Sequence, residues 1–304
     1  MKKILTMTML MVCTIGAFLG CSNGAGGADS GKIKTQVFRV GDFKAVVLKG
    51  PMRAKIERDA QYSAEVTLDS NLYSNLDVHV TNQVLYITFK SADVTKSYRY
   101  DALIKAPSLT SIELTGATQA DISGFVDAGS DMSLKCEGSG TVTVDATLRE
   151  LKVHALGSGN VVAKGTVEQL FAEIAGAGHL QASGLTTGSA TVNCTNSGGA
   201  EVTVGKKLDA TISGSGSIIA KGKAAQLISR ITGSGSLKAF GLTADTANIT
   251  CAGSGNAELT VVKALTAQVD SSGGVKYYAT GKSLRKTFKR KGSDSGKIEQ
   301  VKTR

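Results

Sequence analysis

Three kinds of side chain in this sequence could carry covalent or metal chemistry, and their spacing tests each in turn. Cys136, Cys194 and Cys251 stand 58 and 57 residues apart. Zinc thiolates come in compact pairs a few residues apart, which this spacing does not provide, so no metal site is expected. His79, His154 and His179 are the only imidazoles, and no Ser/His/Asp arrangement shows a nucleophile elbow. His154 sits between apolar Val153 and Ala155, and Glu173 follows it by one repeat. That placement reads as an outward surface pair rather than a catalytic dyad. Glu201 and Glu258 are the best-matched carboxylates, yet hydrolysis of a glycoside needs two of them about 5–9.5 Å apart. The repeated Gly-x-Gly could cradle phosphate, but no helix follows it and no Lys-Ser/Thr completes a P-loop.

What positions these residues is a repeat. Small-residue turns recur at Thr115-Gly116-Ala117, Gly138-Ser139-Gly140, Gly157-Ser158-Gly159, Gly176-Ala177-Gly178 and Asn196-Ser197-Gly198. They continue at Gly214-Ser215-Gly216, Gly233-Ser234-Gly235, Gly253-Ser254-Gly255 and Ser271-Ser272-Gly273, with a mean spacing of about nineteen residues. A fixed period of that size means stacked units. Two residues before each turn the column is apolar throughout: Leu114, Cys136, Ala155, Ile174, Cys194, Ile212, Ile231, Cys251 and Val269. Four before it stand mainly Ile, Leu, Val and Ala, with Ser229 as the polar member. Period-two alternation on both sides of the turn marks strands with one buried face.

Each unit therefore reads strand, glycine turn, strand, turn. Units stacked in parallel about 4.8 Å apart make a β-helix with ladders of small side chains inside. A β-sandwich would turn every 8–12 residues or so, without strict columns. On the β-helix reading the three cysteines share one inward column. Positions three coils apart are separated by about 14 Å, against the 7 Å or so a disulfide tolerates between Cα atoms. They are read as buried free thiols acting as small apolar residues. The same distance separates Glu201 from Glu258, which leaves a carbohydrate lyase or hydrolase without its acid pair.

Composition agrees. The chain has 304 residues, 36 of them Gly, with 5% aromatics, no Trp and a 41% hydrophobic share. That share excludes disorder, and the glycine content falls far short of collagen's one in three or so. The net charge of +10 suggests a polyanion partner until it is apportioned. Lys2 and Lys3 belong to a leader, and residues 282–304 hold nine basic and two acidic residues. The body between is nearly neutral, so nucleic-acid binding loses its motivation.

The first twenty residues read as an export signal, with a basic start and an apolar run from Ile4 to Phe18 too short to span a bilayer. It ends in Phe18-Leu19-Gly20-Cys21, which resembles the lipobox of bacterial lipoproteins. That resemblance implies cleavage before Cys21 and diacylglycerol on its thiol, hence a membrane anchor, with outer-membrane attachment in the cell envelope expected. Residues 21–32 read as a flexible tether and 33–107 as irregular strands capping the rod without a glycine turn. Residues 108–281 read as the repeat and 282–304 as a solvated basic tail.

Phe38-Arg39-Val40-Gly41-Asp42-Phe43, then Ala106-Pro107-Ser108-Leu109 before the first turn, then the serial Gly-Ser-Gly-x-Ile/Leu/Val turns resemble the auto-transporter adhesin head GIN domain family. The resemblance spans roughly residues 35–280. It implies an all-β, single-stranded, right-handed parallel β-helix of pectin-lyase-like type, with about nine glycine-turn coils and an irregular N-terminal β cap. It further implies an adhesion role and brings no catalytic residues and no cofactor. The expected partners are the membrane through Cys21 and a glycan or an envelope or host protein. The rival readings are a self-associating envelope scaffold and a carbohydrate-active β-helix enzyme.

Overall fold

Alternating small and β-branched residues leave a strand one buried face, and in-register stacking is the simplest way to bury it nine times over. The computed structural model describes residues 32–90, 100–290 and 296–302. Residues 1–31, with the expected leader, Cys21 and nearly all of the tether, lie outside them. Of the described residues 78% are strand and 2% helix, forming a parallel β-helix of about nine turns. Thr141–Gly157, Asn160–Gly176, His179–Asn196, Gly199–Gly214, Ser217–Gly233, Ser236–Gly253 and Asn256–Val269 each pair in parallel with the next. Every one runs from one glycine corner toward the next, with a break in the ladder midway. Ala155, Ile174, Cys194, Ile212, Ile231, Cys251 and Val269 are successive partners and are buried. Fully burying a Val, Leu or Ile side chain contributes about 1.5–3 kcal/mol, so each rung adds several kcal/mol before chain entropy is subtracted.

The corners use glycine for two different reasons. At most corners the first residue has positive φ, as at Gly233 (+107°) and Gly253 (+128°), and Asn196 (+67°) fills one such place. Asn is among the few residues that tolerate this region. The third residue has no such φ. A Cβ on Gly235 would stand 2.7 Å from the carbonyl oxygen of Gly216, and one on Gly255 equally close to that of Gly235. There the stacked backbone itself occupies the space. The first corner of the 108–281 repeat is Gly116-Ala117-Thr118, one residue later than the sequence suggests, because Gly116 is the partner of Gly138.

At the N-terminal end, stacking order departs from chain order. Ala45–Lys49 pairs in parallel with both Val84–Phe89 and Ser111–Gly116. Arg53–Arg58 likewise lies between Asp101–Ala106 and the strand Gln119–Gly138. The second coil in space is thus the first in sequence. After Arg58 the chain runs antiparallel along Ser63–Asp69 and Leu76–Thr81, completes the outer coil, and steps back over the inner one. Ile33–Phe38 closes this end, antiparallel to Ser63–Asp69. Residues 33–107 therefore contain two true coils, and a glycine corner as well. Gly50 has φ +128°, and its N–H donates to Thr115 O at 3.2 Å.

The expected basic tail is the last coil. Arg285–Arg290 pairs in parallel with residues 264–269, and Lys297–Gln300 with residues 274–277. Lys286, Phe288 and Arg290 occupy the inward columns of Leu265, Ala267 and Val269. Phe288 lies 5.9 Å from the Tyr277 ring, and the Lys286 ammonium lies 5.5 Å over that ring. Lys286 also donates to Gln300 Oε1 at 2.9 Å. Charges at inward positions of a terminal strand protect an open sheet edge from further pairing, which is why this rung does not read as a strand in sequence.

Candidate functional site

The inward columns hold the thiols away from chemistry. Cys194 and Cys251 are buried free cysteines, and burial pushes their thiols up to about 12 and about 11. Cys136, also free, departs from the expectation of full burial. It is half-buried beside a crevice lined by Leu114, Gly116, Thr118 and Gly138. The neighbouring corner carries Thr118 where later corners carry glycine, and its Oγ1 turns to Gly50 O at 2.7 Å. Desolvation nevertheless raises the Cys136 thiol to about 12. All three are protonated, hence weakly nucleophilic, near neutrality.

The outward columns carry the polar groups. His154 faces Glu173 one rung away, with Nδ1 3.0 Å from Oε2, a surface pair. Lys135 lies 2.7 Å from Glu137 and 3.9 Å from Glu113, Lys152 pairs with Glu150 at 2.8 Å, and Arg149 with Asp131. Glu201 and Glu258 share one column with Ile219 and Lys238 between them. At one rung spacing of about 4.8 Å they stand some 14 Å apart, too far to flank one glycosidic bond. Among the described residues no group of His, Cys, Asp and Glu is arranged to hold a metal, and no helix is long and apolar enough to cross a membrane.

The same outward column continues from Glu258 to Lys276 and Glu299, and there the surface is concave. A groove of about 530 Å³ is lined by Lys238, Asn256, Glu258, Lys276, Lys297 and Glu299, with Gly273 and Gly274 along its floor. Sequence reasoning found Glu258 but missed the groove, because Lys297 and Glu299 were assigned to a tail. The signal available was Gly296, 23 residues after Gly273 and so somewhat beyond the mean corner spacing.

The chain belongs to the family described as "Putative auto-transporter adhesin, head GIN domain", whose model matches residues 42–224 and 218–281. Among solved structures, a "putative adhesin" from Bacteroides fragilis NCTC 9343 is 16% identical, covering 89% of this chain and 97% of that one, TM-score 0.48. Another "putative adhesin", from Parabacteroides distasonis ATCC 8503, is 24% identical, covering 89% and 98%, TM-score 0.45. A "Putative lipid binding protein" from the same organism is 20% identical, covering 90% and 98%, TM-score 0.46. No curated protein matches the chain.

Proposed function

We propose that this protein is a non-enzymatic adhesin of the cell envelope, anchored through lipid on Cys21 to the outer membrane. It presents the polar outer faces of its β-helix to a glycan or an envelope or host protein. The observation that carries this reading is the division of the repeat: apolar inward columns spend themselves on the core, while the outward columns are mainly polar, broken by Val162, Phe171, Ile219 and Ile228. The two acids that meet on adjacent rungs, Asp131 and Glu150, are each tied to a base, Arg149 and Lys152. Family membership supports the same role. The test is glycan-array and envelope-partner pull-down binding by the chain from residue 22 onward, whose residues from Lys32 form one compact unit. Specific, saturable capture of a partner is expected, and none in either assay would sink the adhesin reading. Replacing Cys21 by Ser should abolish lipid labelling and membrane retention, and continued labelling would refute the anchor.

A second reading, self-association, has one observation in its favour. Ile33–Phe38 pairs on one side only, and its Ile33 and Val37 are 62% and 63% exposed. Light scattering on Ile33→Lys/Val37→Lys against the parent chain separates the two: a scaffold loses its oligomer, an adhesin of this kind keeps both its size and its binding.

A further inference from the structure

The groove at the end of the rod differs from the rest of the outer surface. Its volume, about 530 Å³, falls within the range of ligand sites, roughly 300–1,000 Å³. Elsewhere many neighbouring charges pair, as in Lys135 with Glu137 or Lys263 with Asp245 at 2.7 Å, although the ladder partners Asp145 and Lys164 do not. In the groove Lys238, Glu258, Lys276 and Glu299 alternate in sign on successive rungs. Yet among the described residues the side chains of these four and of Lys297 form no ion pair or hydrogen bond. Three ammonium groups and two carboxylates are thus free to meet a ligand. Asn256 adds its amide oxygen, which reaches over Gly274 to within 2.9 Å of where a Cβ would stand, while its amide nitrogen donates to Ser254 O at 3.5 Å.

We propose that this groove binds an acidic oligosaccharide. The anion sits among Lys238, Lys276 and Lys297, while Glu258, Glu299 and Asn256 take the sugar hydroxyls. Carboxylates accept hydroxyl hydrogen bonds at both oxygens, and charge-assisted bonds of this kind are roughly twice as strong as neutral ones. The three lysines outnumber the two carboxylates, which favours an anion over a cation. A peptide would need an apolar pocket or a free strand edge. Leu237, Ala257 and Val275 point into the core at 0% exposure, and the strands that carry Lys238, Glu258 and Lys276 are paired on both sides. Among the described residues the one edge there open to a peptide is therefore that of Lys297–Gln300 at the rim, and the pentaglutamate probe below tests it. Glu258 and Glu299 have Lys276 on the rung between them, so the acids alternate with a base rather than flank one bond. This inference rests on the adhesin reading and names the ligand class for it.

The test is titration calorimetry at low salt with four probes: tetragalacturonate, a heparin tetrasaccharide, maltotetraose and pentaglutamate. The protein is the chain from residue 22, with Lys276→Glu, Gly274→Thr and the remote outward Lys164→Glu as variants. Circular dichroism confirms that each is folded. At least one acidic saccharide is expected to bind tenfold or more tightly than maltotetraose or pentaglutamate, and the uronate and sulfate arms decide which anion is held. Lys276→Glu and Gly274→Thr should each weaken that binding at least tenfold, and Lys164→Glu should leave it within twofold. Equal binding of pentaglutamate would overturn the proposal by showing charge attraction alone. Acidic-saccharide binding untouched by both groove variants would move the site elsewhere and leave the adhesin reading standing. Binding to none of the saccharides would overturn the groove assignment, while the pull-down above still judges adhesion on its own.

Discussion

Replacing Gly255 by Ala isolates the cost of a corner whose backbone is otherwise ordinary. Its φ lies outside the left-handed region, so a methyl group adds no torsional strain. The new Cβ would stand 2.5 Å from Ile231 Cγ2 and 2.7 Å from the Gly235 carbonyl oxygen. Neither neighbour can yield easily. Ile231 is fully buried, and the Gly235 carbonyl accepts the Asn256 N–H at 3.1 Å. Relief requires the two rungs to part, which combines an overpacking cost of about 1–3 kcal/mol with a weakened hydrogen bond of about 0.5–1.5 kcal/mol. The expected loss is about 2–4 kcal/mol. The control is Gly41→Ala, where nothing lies within 4 Å of the added atom, and which should be neutral or stabilise by about 0.4–1 kcal/mol. Urea unfolding followed by circular dichroism measures both. A double-mutant cycle with Ile231→Ala should recover about 1 kcal/mol or more of the Gly255→Ala loss, since it deletes the clashing methyl. If Gly255→Ala unfolds within about 0.5 kcal/mol of the parent, the close-approach account of the third corner glycine is wrong.

Deleting residues 282–304 should lower the unfolding midpoint and cause concentration-dependent association, because it uncovers Tyr277 and the edge of residues 264–269. Unchanged stability and a monodisperse product would restore the solvated-tail reading. Ser229 is buried with its hydroxyl unpartnered, so Ser229→Ala should stabilise by about 1 kcal/mol in the same urea assay, and a loss of stability would show a hidden partner. The thiols give a pH dependence. In the unfolded chain Cys194 and Cys251 ionise from about pH 8.5, while the folded protein keeps their protons to about 12 and about 11. The unfolded state thus releases protons first, so stability is flat below pH 8 and falls as pH climbs through 9 toward 11. Each thiol contributes at most about 1.4 kcal/mol per pH unit. The slope between pH 9 and 10.5 should therefore be shallower in the Cys194→Ala/Cys251→Ala variant, and identical slopes would rule out buried, protonated thiols.

The sequence by itself determined the repeat, the inward columns and most corners. In a parallel in-register stack the partner of a residue lies one period away, so tertiary contacts such as Ile212 on Ile231 and His154 on Glu173 appear as local periodicity. Local pattern and global contact are the same information there. Where that identity fails, only the tertiary structure decides. Arg53–Arg58 and Asp101–Ala106 set Ala54, Ile56, Ala102, Ile104 and Ala106 inward between mainly charged outward residues, an alternation that marks each as a strand without saying which strand it stacks on. Nothing local says that the coil of residues 45–58 lies between its successors, because an inserted antiparallel excursion breaks the period. The last rung hides itself for the opposite reason: it must end the stack, so Lys286 and Arg290 take inward positions that an interior rung gives to Leu265 and Val269. The groove follows from that rung. It required Lys297 and Glu299 to be placed beside Lys276 and Gly274, a juxtaposition set by stacking at the end of the rod rather than by any motif.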